Sequence, residues 1–301
     1  MDITKIYQLY PTQDDCLNHL ELVRWNGKPT CPYCKSDNVS GMPNERRHHC
    51  NNCNTSFSVT VGTIFHHTHL PLQKWFLALS LILNAKKGIS SRQLSRDLDV
   101  HKDTAWRISM QIRKAMRESE SRDLLTGIVE MDETYVGGKP RKGGPRRRDI
   151  RKPDKPRTGF KKDDDRKIPV VGMVERDGKV TAHVVKKNKL NGVKISSLIR
   201  RHINTKETIL VTDEWRGYSK VKLFMAHETI NHSELYVCGD IHTNNIESFW
   251  ALLKRGIVGQ FHKVSVRYLH RYISEFCYRH NNRKNENVFE LTIARGLGVS
   301  V

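Results

Sequence analysis

Four cysteines in this chain have the spacing of a metal site. Cys31 and Cys34 form one CxxC pair, Cys50 and Cys53 form a second, and 15 residues separate the pairs. Each CxxC turn places two thiolates on one side of a tight knuckle, and two knuckles complete the tetrahedral sulfur site that Zn²⁺ prefers. We therefore predict a structural zinc ion. The alternatives are two redox dithiols or cysteines of an apolar core.

Three acids could support a different metal chemistry. Asp132 lies within a β-branched and aromatic stretch, Asp213 follows a short apolar stretch, and Glu247 lies in an amphipathic stretch. Carboxylates that meet in one place repel each other, and divalent cations relieve that repulsion. Mg²⁺ or Mn²⁺ prefers such oxygen ligands. A pair of these ions can activate one oxygen of a phosphodiester and stabilise the departing one.

The spacing alone does not select these three acids. Asp132 also fits a surface acid at a strand end, and Asp213 also fits a helix N-cap. Glu247 lies three residues after Asn244, which is the spacing of a capping box. Further acids lie close by in the sequence, namely Glu130, Glu133 and Glu214.

The elements that would position the acids follow the order strand, strand, strand, helix, strand, helix. Apolar and β-branched patterns predict them at residues 127–136, 168–174, 180–185, 195–203, 208–212 and 243–257. This order matches a ribonuclease-H-like α/β domain with a mixed sheet. In such a domain Asp132 and Asp213 lie on neighbouring strands, and Glu247 projects from a helix packed beside them.

Upstream of the acids, helical patterns predict a DNA-binding domain. A cap-like Ser90 begins one short helix, residues 99–101 form a break, and a second helix runs from about Asp103 to Glu118. Two helices with so short a turn are typical of a helix-turn-helix, and an ordinary three-helix bundle is the alternative. The candidate DNA contacts at the leading end of the second helix are His101, Lys102, Thr104 and Arg107.

The charge of the chain also points to nucleic acid. Its 301 residues include 52 basic and 32 acidic ones, which gives a net charge of +20. Such an excess predicts attraction to a polyanion. Residues 137–167 are rich in Gly, Pro and basic residues, and we predict a basic loop there. Its candidate DNA contacts are Arg146, Arg147 and Arg148.

The whole pattern predicts a multidomain α+β protein. No apolar run is long enough to span a membrane and no signal peptide is visible, so we expect a cytoplasmic, nucleoid-associated protein without a membrane partner. The predicted domains are a zinc ribbon with an N-terminal helix at 1–67, the helix-turn-helix at 68–122, the ribonuclease-H-like domain at 123–283 and a C-terminal tail at 284–301.

Several segments together resemble a known family, the bacterial insertion-sequence transposases with an N-terminal zinc ribbon and a D-D-E integrase-like domain, which are related to the Merlin transposons. The resemblance spans nearly the whole chain. The segments that carry it are Arg24-Trp25 with the first CxxC pair, Met131–Lys139, Val211–Tyr218, Ile241–Gly256 and Tyr272–Arg283.

The resemblance implies roles for particular residues. It selects Asp132, Asp213 and Glu247 over the neighbouring acids as the metal ligands. It also implies that Lys254, seven residues after Glu247, contacts a DNA phosphate, with a solvated lysine as the alternative. Two further residues, His242 and Asn245, are expected in supporting positions.

The function that the resemblance implies is transposition. Such a protein binds the terminal inverted repeats of an insertion sequence and uses divalent metal ions to cut DNA strands and transfer them to double-stranded target DNA. Because two ends must be joined, we expect a homodimer or a higher assembly. Two alternatives stay open, a non-catalytic zinc-ribbon DNA-binding regulator and a nuclease of the same fold.

Overall fold

A computed structural model of the chain describes residues 2–117, 124–137, 167–230 and 243–299. Contacts divide the chain into two compact units. The first unit is Met1–Ser119 with Ser274–Val301, and the second unit is Glu120–Ile273. The predicted basic loop lies almost wholly outside the described residues.

The helices and strands follow one another along the chain in a fixed order. They are α1 (Ile3–Leu9), α2 (Gln13–Trp25), β1 (Val39–Met42), β2 (Arg47–Cys50), β3 (Thr55–Phe57), α3 (Leu72–Asn84), α4 (Ser91–Leu98), α5 (Lys102–Ala115), β4 (Leu125–Val136), β5 (Ile168–Glu175), β6 (Val180–Val184), α6 (Gly192–His202), β7 (Ile203–Thr212), β8 (Ala226–Thr229), α7 (Asn244–Arg255), α8 (Val266–Asn281) and α9 (Val288–Leu297). Within the described ranges, none of the helices has the length and apolar character that crossing a bilayer requires.

The first unit is built around one apolar core to which α1 to α5 contribute. The last helix, α9, completes this core with Phe289, Ile293 and Leu297. The sequence pattern predicts a tail at residues 284–301, and that prediction is wrong for α9. The three apolar residues recur every four positions, which is the spacing of one helix face, and burying that face stabilises the helix.

Helices α4 and α5 lie where the sequence predicts them. The hydroxyl of Ser90 caps α4 by accepting a hydrogen bond of 3.2 Å from the amide of Gln93. Asp99 ends that helix in the left-handed region, with φ 48°, and α5 begins at Lys102 with His101 as its N-cap. A three-residue turn therefore joins the two helices.

The second unit contains a five-stranded mixed sheet in the order β6-β5-β4-β7-β8. The pairs β4–β5 and β5–β6 are antiparallel, while β4–β7 and β7–β8 are parallel. The mixed sheet and the order β4, β5, β6, α6, β7 agree with the ribonuclease-H-like prediction, and the predicted last helix is α7. Strand β8 was not predicted, because its sequence AHET lacks an apolar pattern.

Two helices of the second unit pack on opposite faces of this sheet. Met131 of β4 belongs to the core formed with α6. The next residue, Asp132, contacts Trp250 of α7. Because neighbouring residues of a strand point to opposite faces, α6 covers one face of β4 and α7 covers the other.

Candidate active site and zinc ribbon

Asp132 lies within β4, where this strand pairs with β5. Its partner in the register is Gly172, and its Oδ2 accepts a hydrogen bond of 3.0 Å from the indole Nε1 of Trp250. A Cβ atom on Gly172 would lie 2.6 Å from the indole ring, so only glycine lets the helix approach the sheet this closely. The indole of α7 therefore lies directly beside the carboxylate.

Asp213 directly follows the last residue of the neighbouring strand, β7. In the parallel pairing of β4 with β7, Glu130 is opposite Val211, and each aspartate follows two residues later along the chain. Asp213 therefore leaves the sheet at the level of Asp132, and its charge raises the pKa of Asp132. Oδ1 of Asp213 accepts a hydrogen bond of 3.1 Å from the amide of Trp215.

Glu247 comes from the first turns of α7 and is exposed. Its Oε1 accepts a hydrogen bond of 3.1 Å from the hydroxyl of Thr243. The N-cap of this helix is Thr243 and its first residue is Asn244, so Glu247 is the fourth helical residue. A capping box needs its acid at the third, and the capping alternative for Glu247 is therefore wrong.

The three carboxylates interact electrostatically. Burial raises the pKa of Asp132 to about 6, and the charges of Asp213 and Glu247 act in the same direction, whereas the hydrogen bond from Trp250 lowers the pKa. Among the described residues, only the four cysteines bring three or more potential ligand atoms within 4.8 Å of one another. The acids are thus neighbours that do not form a closed cluster.

An all-carboxylate donor set fits a hard divalent cation. Mg²⁺ and Mn²⁺ prefer oxygen ligands, and either cation would oppose the burial and the neighbouring charges that raise the pKa of Asp132. The donor chemistry of the three acids therefore fits the predicted cation.

Two acids that are close in sequence to Asp132 and Asp213, namely Glu133 and Glu214, have different surroundings. Glu133 points to the opposite face of β4, where its Oε2 accepts a hydrogen bond of 2.7 Å from the hydroxyl of Tyr218. Burial raises the pKa of Glu133 to about 7, and the charges of Asp213 and Asp132 contribute. Glu214 is exposed beyond the end of β7. The side chain of Glu133 therefore does not share the α7 face with Asp132.

The residues expected in supporting positions have different surroundings. Lys254 is exposed in the last turn of α7, seven residues after Glu247, so the two side chains lie on the same side of the helix. Asn245 turns toward the sheet and donates a hydrogen bond of 2.8 Å from Nδ2 to Oε1 of Glu130. His242 lies outside the described residues.

The four cysteines come together as predicted. The Sγ atoms of Cys31 and Cys53 are 3.7 Å apart, and those of Cys34 and Cys50 are 3.5 Å apart. A disulfide would need about 2.05 Å. Tetrahedral Zn–S bonds of about 2.3 Å separate the sulfurs by about 3.8 Å. The cluster, held on the antiparallel sheet of β1, β2 and β3, therefore fits a structural zinc ion.

The predicted DNA contacts of α5 lie at its exposed leading end. His101, Lys102, Thr104 and Arg107 are all exposed, and Trp106 between them keeps 38% of its surface accessible. Basic and aromatic side chains are thus presented together. The other predicted contacts, Arg146, Arg147 and Arg148, lie outside the described residues.

Sequence reasoning missed the contacts that hold the acids. The pairs Trp250–Asp132 and Tyr218–Glu133 join residues 118 and 85 positions apart, so local spacing contains no signal for them. Glu130 was noticed only as a competing acid. Its position two residues before Asp132 places both on one face of the strand, and that alternation could have predicted a shared environment.

Two segments of the chain match known families. Residues 124–281 match the family described as ISXO2-like transposase domain, and residues 11–56 match the transposase zinc-ribbon domain. One curated relative is an uncharacterized protein in transposable element ISH50 of Halobacterium salinarum. It is 29% identical over 250 residues, which cover 79% of this chain and 81% of the relative.

Solved structures of the Mos1 transposase show a more distant likeness. A pre-cleavage Mos1 transpososome has a TM-score of 0.30 at 14% identity, over 73% of this chain and 78% of that chain. A Mos1 strand transfer complex has a TM-score of 0.28 at 15% identity, over 73% of this chain and 77% of that chain.

Proposed function

The chain belongs to the family of ISXO2-like transposase domains, and we propose that Asp132, Asp213 and Glu247 are the cation ligands of its D-D-E active site. The observation that carries this proposal is the contact of Asp132 with α7, in which its Oδ2 accepts a hydrogen bond from Trp250 on the helix that also carries Glu247. When bound, Mg²⁺ or Mn²⁺ supplies a Lewis acid that activates an attacking oxygen and stabilises a departing one.

The protein's own part is to orient the three carboxylates. Trp250 holds one oxygen of Asp132, the amide of Trp215 holds one oxygen of Asp213, and Thr243 holds one oxygen of Glu247. A ligand oxygen fixed in this way orients its carboxylate before the cation arrives. The separate supports make the site partly preorganised despite the repulsion between its members.

The reaction that such a site supports has two phosphoryl-transfer steps. In the first, water attacks a phosphodiester at the end of the element and releases a 3′-hydroxyl. In the second, that hydroxyl attacks a phosphodiester of the target, and the target's own 3′-oxygen departs. Neither step requires a covalent bond between protein and DNA.

The first unit would hold the DNA. In this proposal α4 and α5 form a helix-turn-helix whose exposed residues Lys102 and Arg107 reach the terminal inverted repeats. The zinc ribbon, the basic segment with Arg146–Arg148 and Lys254 would contact phosphates. Binding should weaken steeply with salt, because each phosphate contact releases counterions. Two ends and a target must meet, which calls for a homodimer or a larger assembly.

A strand-transfer assay tests the catalytic proposal. Purified protein is mixed with labelled terminal-repeat DNA, a target plasmid and Mg²⁺, alongside Asp213→Asn and a matched control, Glu214→Gln. We expect joined products from the wild type and the control but none from Asp213→Asn, with DNA binding retained in all three. Equal joining by Asp213→Asn would refute the assignment.

The same assay separates the two alternatives. A non-catalytic regulator would bind the ends but give neither cut nor joined DNA. A nuclease of the same fold would release cut ends that never appear joined to the plasmid.

A further inference from the structure

Glu130 is a fully buried acid on β4, two residues before Asp132. Its Oε2 accepts hydrogen bonds from the backbone amides of Asn245, at 2.9 Å, and Ile246, at 3.0 Å. Its Oε1 accepts another from Nδ2 of Asn245, at 2.8 Å. Asn245 and Ile246 are the second and third residues of α7. A strand carboxylate therefore caps the helix that carries Glu247.

This cap replaces the one that the helix lacks locally. The first amides of a helix have no partner within it, and a side chain of the N-cap residue usually accepts from them. In α7 the N-cap residue Thr243 makes no such bond, and its hydroxyl donates to Glu247 instead. A negative charge at a helix N-terminus is also favoured by the helix dipole.

The buried carboxylate has a cationic partner as well. Nη2 of Arg176 lies 3.4 Å from Oε1 of Glu130, and the amide of Arg176 donates to the carbonyl of Ile128 on the same strand. A buried charge is tolerated when it is paired and its remaining lone pairs are hydrogen-bonded. Glu130 satisfies both conditions, so it can hold the start of α7 in a fixed position against β4.

We propose that Glu130 is a positioning residue, which fixes the first turn of α7, and with it Glu247, relative to Asp132. Along the chain Glu130 is only two positions from Asp132, and Glu247 directly follows the capped Ile246. The indole of Trp250, one turn farther along α7, makes the second attachment to the strand. The inference rests on the proposed function, in which Asp132 and Glu247 bind the same cation site.

The test compares Glu130→Gln with Glu175→Gln in the full-length protein. Glu175 is a matched control because it is an acid of β5 that accepts hydrogen bonds from the backbone and hydroxyl of Thr126 and from the amide of Lys179. Hydrogen exchange at the amides of Asn245 and Ile246 measures the cap. The Kd of Mn²⁺, followed by electron paramagnetic resonance without DNA, measures ligand placement, with Asp132→Asn defining binding at this site.

We expect Glu130→Gln to speed exchange at both amides and to raise the Mn²⁺ Kd by about 10–100-fold, the usual effect of losing a residue that orients a ligand. Its unfolding midpoint and DNA affinity should stay close to those of Glu175→Gln. Faster exchange with an unchanged Kd would overturn the positioning role, as would unchanged exchange.

Two further outcomes are informative. If Glu130→Gln does not fold, Asn245→Ala, which removes only the side-chain bond, should still raise the Kd by a smaller factor; an unchanged Kd in that variant refutes the inference. If Mn²⁺ binds the wild type and Asp132→Asn equally, the proposed cation site itself fails, whereas the exchange data still report whether Glu130 caps the helix.

Discussion

The indole Nε1 of Trp250 donates a hydrogen bond of 3.0 Å to Oδ2 of Asp132, and this contact depends on a glycine. Gly172 faces Asp132 across the β4–β5 pair, and a Cβ atom there would lie 2.6 Å from the indole ring and 2.9 Å from Ile246. The chain thus places its smallest residue where the helix with Glu247 crosses the strand with Asp132.

Gly172→Ala should therefore push α7 away from the sheet. We expect a loss of about 1–3 kcal/mol in the free energy of unfolding, the usual cost of overpacking, together with a large loss of strand transfer. Gly259→Ala is the control, because a Cβ there meets nothing within 4 Å. Urea unfolding and the strand-transfer assay measure both effects, and wild-type behaviour of Gly172→Ala would contradict the packing role of this glycine.

Zinc content tests the cysteine cluster. We expect one zinc ion per chain in the purified protein and a lower unfolding midpoint after chelation, because metal binding is coupled to folding of the ribbon. Cys34→Ala should lose the metal. Cys16→Ala, which changes a buried cysteine outside the cluster, should keep it. Retention of zinc by Cys34→Ala would argue against this ligand set.

The first unit contains a buried ion pair whose loss should be costly. Nε of Arg113 donates to Oε2 of Glu275 at 2.6 Å, Nη1 of Arg279 lies 3.1 Å from Oε1, and the Glu275 side chain is fully buried. Glu275→Gln leaves two guanidinium groups without their counter-charge, so we expect about 3–5 kcal/mol of destabilisation. Urea unfolding measures it.

An exposed ion pair of the same unit provides the comparison. Arg46 and Asp14 pair on the surface, where both side chains are about half exposed. Asp14→Asn should cost less than about 1 kcal/mol, since solvent screens this pair. Equal losses for Asp14→Asn and Glu275→Gln would contradict the role given to burial.

DNA recognition by α5 can be tested within one helix. Arg107→Ala, near the exposed leading end, should weaken specific binding by about 1–3 kcal/mol, the usual cost of losing a base contact. Lys114→Ala changes an exposed basic residue in the last turn of the same helix and should have little effect. Fluorescence anisotropy with terminal-repeat and unrelated DNA separates the two variants. Equal losses of DNA affinity in Arg107→Ala and Lys114→Ala would contradict the prediction that the leading end of α5 contacts the bases.

A pair of histidines makes stability depend on pH. The rings of His183 and His202 stack with centroids 4.3 Å apart. Burial, followed by the charges of His202 and Lys194, lowers the pKa of His183 from 6.5 to about 4. The unfolded chain therefore takes up the proton first. The contribution of His183 to the free energy of unfolding is fully present above pH 6.5 and declines as the pH falls toward 4. Urea unfolding across this range should show the decline, and His183→Gln should reduce it.

Local patterns predicted most of the second unit's elements, because each strand or helix carries its own periodicity. The element order alone placed Asp132 and Asp213 at neighbouring strands, and the structure has Asp132 within β4 and Asp213 directly after β7. Choosing them over Glu133 needed family resemblance. The alternation of β4 supplies the physical reason, since Glu133 points to the α6 face and bonds to Tyr218.

The features that were missed depend on contacts distant in sequence. The cap that Glu130 gives to α7 joins residues 115 and 116 positions apart, and no local rule links a strand acid to a helix start that far away. Helix α9 was missed for another reason. Its apolar spacing was present, but no partner surface near it in the sequence suggested that it would be buried.

Helix α9 has a further consequence for how the protein is made. A ribosome synthesises the chain from its amino end, so the residues of α9 follow every strand of the second unit, although they belong to the core of the first. During synthesis the core formed by α1 to α5 therefore lacks the residues of α9 until the five-stranded sheet has already been synthesised. A chain truncated before α9 would therefore contain every strand of the second unit but lack Phe289, Ile293 and Leu297 from the core of the first.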